Sequence, residues 1–183
     1  MYPKTYKVGD KVSYGLHGTC LITAIEVKEL TDGPVEFYQI KAVRNTIGNK
    51  GFTLKDTNIL IPVASADTKG LRPLMTKEEC EQILRVLEDP EYYFELEETW
   101  VSKQKKLEEV LRKEGFLGLA KVVGHLFVVM SLDAVPSSEV VRFYDTVFKV
   151  LVREISDVMG LTIKETDTLV TKALRNKASH FTN

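Results

Sequence analysis

The hydrophobic pattern of this chain changes period once, near residue 70, and a chain with two periods needs two kinds of layer. Up to about residue 65 the apolar residues come in short β-prone bursts: Lys11–Tyr14, Cys20–Lys28, Val35–Arg44, Gly51–Leu54 and Thr57–Val63. Turn signals separate them at Gly9-Asp10, His17-Gly18, Asp32-Gly33-Pro34 and Gly48-Asn49-Lys50-Gly51. Tyr38, Ile40 and Ala42 alternate with Gln39, Lys41 and Val43, as a half-buried strand requires. About five short strands at this spacing predict a small, strongly curved sheet or partial barrel.

From Thr76 onward the period is helical. Thr76 and Glu79 form a capping-box pattern, and Ile83, Leu84, Val86 and Leu87 supply an apolar face until Asp89-Pro90 breaks it. A second helix is expected from Trp100 to Gly115 with Leu107, Val110 and Leu111 as its buried stripe. Residues 117–131 are apolar on most sides and read as a central helix. Ser137 caps a fourth, over Glu139–Met159, which Gly160 ends. Thr162 and Glu165 then open a last helix to about Lys177. The expected fold class is α+β: an all-β domain over residues 1–70, then a bundle of about five helices over residues 71–183.

Composition is that of an ordinary globular protein, with 44% apolar and 28% charged residues. The formal net charge of −1 gives no whole-molecule attraction to nucleic acid, so any such contact must come from a local patch. The charge is distributed unevenly. Residues 76–99 hold nine acids and two bases, whereas residues 100–126 hold six bases and three acids. Trp100, the only tryptophan, stands where the sign changes. On a helix starting there, Lys105 and Arg112 point away from the apolar stripe, and Lys106 and Lys113 flank it. Lys103 falls in the stripe's direction but in the first turn, from which its side chain can reach solvent. A basic helix face is most often simply a solvated face, and a lone Trp is most often core. Together at a helix start they also suit a minor-groove binder, in which an apolar wedge works beside phosphate-contacting bases.

Other chemistry is poorly supported. His17 and Cys20 lie close together, but a structural zinc site needs four ligands and no second pair exists. His125 reads as a core or interface histidine. No nucleophile elbow, phosphate-binding glycine loop or paired-histidine metalloprotease motif is present, so no enzyme activity, metal or cofactor is expected. Cys20 and Cys80 are too few for a disulfide scaffold. The stretch MYPKTYKVGD has no signal-peptide core, and the longest charge-free run, Val122–Leu132, is too short to span a bilayer. A cytoplasmic protein with no membrane partner is expected.

The block Tyr6-Lys7-Val8-Gly9-Asp10-Lys11-Val12-Ser13-Tyr14-Gly15-Leu16-His17-Gly18 resembles the opening of the CarD/CdnL family of bacterial transcription regulators, typically F-x-x-G-D-x-V-V-Y-P-x-H-G. Ala24-Ile25-Glu26, Tyr38–Lys41, Ile61-Pro62 and Leu71-Arg72-Pro73-Leu74 fit as well, and the helical half matches in pattern. The resemblance implies a Tudor-like N-terminal domain that binds the β subunit of RNA polymerase. It also implies a helical domain contacting promoter DNA at the upstream edge of the melted region, with no small-molecule ligand. Trp100 matches the family's wedge position. Lys103, Lys105 and Lys106 match the adjoining basic segment, which Arg112 and Lys113 extend. Lys28 matches a basic polymerase-contacting position. Three departures stand out: Gly15 replaces the usual Pro, a longer connection, Asn45–Asp56, precedes the Ile61-Pro62 strand, and Leu60 stands where some members use an Arg against polymerase. A bacterial regulator associated with the nucleoid through polymerase is the expectation, with Trp100 exposed beside the lysines. The competing expectation is a protein-interaction module that does not bind DNA, with Trp100 buried.

Overall fold

The computed structural model describes residues 5–45, 52–54, 58–94 and 99–182. The expected turn at residues 48–51 lies outside them. The fold is α+β, with an antiparallel sheet followed by helices. The chain divides into two compact units, Met1–Leu74 and Met75–Asn183.

In the first unit β1 (Lys11–Tyr14), β2 (Gly18–Leu30), β3 (Gly33–Asn45), β4 (Phe52–Leu54), β5 (Ile59–Pro62) and β6 (Leu71–Pro73) run in the order β4-β3-β2-β1-β6, with β5 also pairing β3. β6 was not among the expected strands. It is three residues long and contains a proline, so it carries no periodic signal, but it pairs with β1 through Val12↔Pro73 and Tyr14↔Leu71. That pairing ties residues 71–73 to the sheet, not to the helices.

β2 and β3 form a long ribbon closed by Thr31-Asp32, and one irregularity in it decides what faces where. The register passes from Ile22↔Ile40 to Ala24↔Gln39, leaving Thr23 as an extra residue. Its hydroxyl donates to the Gln39 carbonyl at 3.1 Å. Before this bulge Cys20 and Ile22 are buried; after it Ile25 pairs with the buried Tyr38 but lies at the margin of the core and is exposed. Tyr38 anchors the core further by accepting the Tyr6 N–H at 2.9 Å.

The second unit holds α1 (Lys77–Glu88), α2 (Trp100–Leu132), α3 (Ser138–Met159) and α4 (Ile163–Ser179), one helix fewer than expected. The difference lies in α2, within which the two expected middle helices meet at a break in helical geometry at Gly115. Gly115 has φ 58° and ψ −123°, a backbone state open to glycine and hostile to other residues. A straight helix would hold Trp100 and Asp133 about 50 Å apart, yet both line one cleft. The two arms of α2 therefore fold back on each other at Gly115. By length and composition α2 could cross a bilayer, but 56% of its most apolar window is buried in protein.

The capping expectations are met. Thr76 and Glu79 cap α1 reciprocally, as do Thr162 and Glu165 on α4, and the Ser137 side chain accepts the Val140 N–H. Gly160 closes α3 in the left-handed conformation. Thr162→Ala should lower unfolding free energy by about 1 kcal/mol, read as a shift in urea midpoint. The core of this unit is continuous, joining Ile83 and Leu87 of α1, Leu107, Val123 and Leu126 of α2, Leu151 and Ile155 of α3, and Val170 and Leu174 of α4.

Candidate site around Trp100 and the basic arm

The segment after α1 is held from two directions. Lys177 of α4 is fully buried, and its ammonium donates to the carbonyls of Asp89 (2.7 Å) and Tyr92 (2.8 Å). Its stem crosses Gly124 of α2 so closely that a Cβ there would lie 3.3 Å from Nζ. Burial lowers the Lys177 pKa to about 8, against the raising effect of Asp89. The second hold is His125, whose Nδ1 accepts the Phe94 N–H at 3.3 Å. Its ring sits between Tyr93 and Phe94, with centroids 4.9 and 5.3 Å away. Burial lowers the His125 pKa to about 4, and the charges of Lys103 and Lys177 push the same way, so the imidazole is neutral at physiological pH.

Tyr93 and Phe94 thereby become one wall of a cleft of about 230 Å³. Trp100, Lys103 and Leu107 of the first arm of α2 form another wall. His125, Leu126, Val129 and Asp133 come from the second arm, and Pro136, Ser137 and Val140 complete the lining. Trp100 is half-buried and packs on the helical core, edge-on to Phe143 with centroids 5.8 Å apart. The expectation of an exposed ring is not met, because the first arm turns that side of the helix toward α3.

The sequence-derived basic set divides. Lys103 is half-buried and lines the cleft with Trp100; it does not stand out in solvent. Lys105, Lys106, Arg112 and Lys113 are all exposed. At about 100° per residue these four occupy the side of the arm turned away from Trp100. Glu109 falls in their midst and pairs with Lys113 at 2.6 Å. Lys121 lies apart from the strip, paired with Glu114 and 5.1 Å above the Tyr92 ring.

In the sheet unit, Lys28 and Leu60 come to the same face. Lys28 pairs in register with Val35, and Leu60 with Gln39; both partners lie on the side of β3 that also carries Phe37. Lys28 and Leu60 are exposed, Val35, Phe37 and Pro62 are half-exposed, and Lys28 lies 4.0 Å from Glu26. The face thus sets Val35, Phe37, Leu60 and Pro62 beside Gln39, Lys41 and the Glu26–Lys28 pair.

No protein-family model matches the chain. A protein of Bacillus subtilis (strain 168) named "Putative transcription factor YdeB" is 22% identical to it over 160 residues, covering 87% of this chain and 96% of that protein. The relationship is distant, and it points to transcription regulation.

Sequence reasoning did not find Tyr93, Phe94 or Lys177 as parts of this site. Tyr93 and Phe94 follow a helix-breaking Asp-Pro pair and carry no period. Lys177 looks like any surface lysine near a helix C-terminus. Among the described residues no group of three or more His, Cys, Asp or Glu side chains is arranged to hold a metal.

Proposed function

We propose that the protein is a non-enzymatic transcription regulator that binds the RNA polymerase β subunit and stabilises the open promoter complex. The near-full-length match to a protein named as a transcription factor carries this reading, and the Tyr6–Gly18 block refines it toward CarD/CdnL-type regulators. The sheet face around Lys28 and Leu60 suits a protein partner, since half-exposed Phe37, Val35 and Pro62 gain by being covered. Lys105, Lys106, Arg112 and Lys113 suit the phosphate backbone. Trp100 and Lys103 would act at the edge of melted DNA, through the part of the indole that the cleft leaves open. Such a regulator would work in the bacterial cytoplasm, on the nucleoid, wherever polymerase engages promoters.

The mechanism is tethering plus differential binding. Attachment to polymerase raises the local concentration of the helical unit, so weak intrinsic DNA affinity suffices. A contact made only with melted or distorted DNA shifts the equilibrium toward the open state. A base–aromatic contact is worth about 1–3 kcal/mol, and about 1.4 kcal/mol is a tenfold change in population.

Open-complex lifetime with purified polymerase tests this. Trp100→Ala should shorten the lifetime about tenfold while polymerase binding persists. Lys28→Glu should weaken binding to polymerase, and a higher protein concentration should restore the lifetime. A folded Trp100→Ala protein that stabilises open complexes as well as wild type would remove the DNA part of the mechanism.

One observation favours a second reading, a protein-interaction module that does not bind DNA: the Trp100 ring packs edge-on against Phe143, as a core residue does. Under that reading the protein adds no protection to promoter DNA in a polymerase footprint.

A further inference from the structure

The polar groups around the Trp100 cleft are unequally satisfied. Two acceptor atoms of its lining are engaged with the backbone. One Asp133 carboxylate oxygen accepts the Val135 N–H at 3.0 Å, and the Ser137 hydroxyl accepts the Val140 N–H at 3.4 Å. Two of its donors, on Lys103 and His125, are not. Lys103 has no ion-pair or hydrogen-bond partner among the described residues. His125 uses Nδ1 to accept the Phe94 N–H, so the proton of the neutral ring sits on Nε2. That Nε2–H has no partner among the described residues either, although His125 is only 4% exposed. No buried side-chain nitrogen or oxygen is left unsatisfied among the described residues, so Nε2 opens onto the cleft that His125 lines.

Two donors with no protein partner among the described residues, one of them cationic, face a space walled by aromatic rings, an arrangement that suits a ligand. The occupant needs an anionic acceptor to meet both donors. It also needs a flat apolar body to lie among Tyr93, Phe94 and Trp100. Size narrows it further. At about 230 Å³ the cleft is smaller than the ~300–1,000 Å³ of sites for larger ligands, and equals the liquid volume of about seven or eight waters at ~30 Å³ each. A ligand of one or two fused rings suits this volume.

We infer that the cleft is a binding site for a small aromatic carboxylate, held by the Nε2–H of His125 and the ammonium of Lys103 with its ring against Trp100. This departs from the expectation of no small-molecule ligand. It shares Trp100 and Lys103 with the proposed DNA contact, but it rests on the geometry of the cleft and is tested without polymerase or DNA.

Titration calorimetry of the full chain with 2-naphthoate tests it. Saturable one-to-one binding is expected, with a Kd of about 0.1–1 mM for a ligand of this size. The uncharged 2-naphthalenemethanol should bind at least about tenfold more weakly, the loss expected for a charge-assisted hydrogen bond. His125→Asn keeps an acceptor for the Phe94 N–H and removes the Nε2–H; Lys103→Met keeps the stem and removes the charge. Each should weaken 2-naphthoate about tenfold with unchanged far-UV circular dichroism, and Lys103→Met alone suffices if His125→Asn does not fold. In wild type the His125 Nε2–H proton resonance should shift on binding. The inference is overturned by no saturation at roughly 10 mM, by equal affinity for the alcohol, or by wild-type affinity in Lys103→Met. Tighter binding of thymidine or a short single strand, weakened by the same substitutions, would also overturn it in favour of an extruded base.

Discussion

Gly118→Ala should destabilise the helical unit by about 3 kcal/mol or more. In an ordinary helix interior the same change is stabilising by roughly 0.5–1 kcal/mol, because alanine loses less backbone entropy. The sign is reversed here by the turn at Gly115. A Cβ on Gly118 would run into the Val110 carbonyl oxygen and lie 3.0 Å from the Glu114 Cβ. The obstacle is backbone, not the tip of a flexible side chain, so relief requires the two arms of α2 to separate. Separation would pull Leu107 and Leu126 from the shared core and open the cleft between Lys103 and Val129. Urea denaturation followed by far-UV circular dichroism gives the answer, and a midpoint equal to or above wild type would contradict the close packing of the arms.

Lys177→Met should change the pH dependence of stability. The wild-type ammonium is charged in a site that burial disfavours, with a pKa of about 8 against the ordinary 10.5. Below about pH 8 both folded and unfolded chains hold the proton. As the pH rises from 8 toward 10.5 the folded chain releases it first, so the unfolded state binds more protons and stability rises. The gap corresponds to about 3 kcal/mol. Cys80, whose thiol burial pushes up to about 11, and Tyr144, whose hydroxyl burial also pushes up, act in the opposite sense at alkaline pH. Both remain in the variant, so the difference between the two proteins isolates Lys177. Wild type should gain about 2–3 kcal/mol on Lys177→Met between pH 7 and 10. Parallel stability profiles would mean that the lysine is not held charged in the core. Asp89 and His125, which share its surroundings, are present in both proteins.

Local chemistry made much of this fold readable. Thr76–Glu79, Ser137, Gly160 and Thr162–Glu165 mark helix ends because their side chains or backbone freedom act within one turn. The first strands were legible for the same reason: alternation and turn residues lie close together in the chain. What escaped depends on distant partners. β6 has too few residues to show a period and exists because β1 offers an edge. The fold-back of α2 needs Gly115 and Gly118 together, and a glycine inside a helical pattern does not announce which way the chain will turn. For the candidate site, the outward direction of Lys105, Lys106, Arg112 and Lys113 follows from helical spacing alone. The inward direction of Lys103 follows from the same spacing, but the half-burial of Trp100 does not, since it depends on α3 supplying Phe143 against the ring. Lys177 was the least readable residue: its two carbonyl partners are 88 and 85 positions away.

The position of Trp100 has a practical corollary. As the chain's one tryptophan, it is the sole source of indole emission, and it sits where Phe143, Lys103 and His125 converge. The protein therefore carries a built-in optical reporter at the spot where the proposals meet. A moderately blue-shifted emission, partly shielded from acrylamide, is the expected resting signal for a half-buried ring. Promoter DNA and a nonfluorescent benzoate can each be added to the unlabelled protein, and the same band reports which of them reaches that ring.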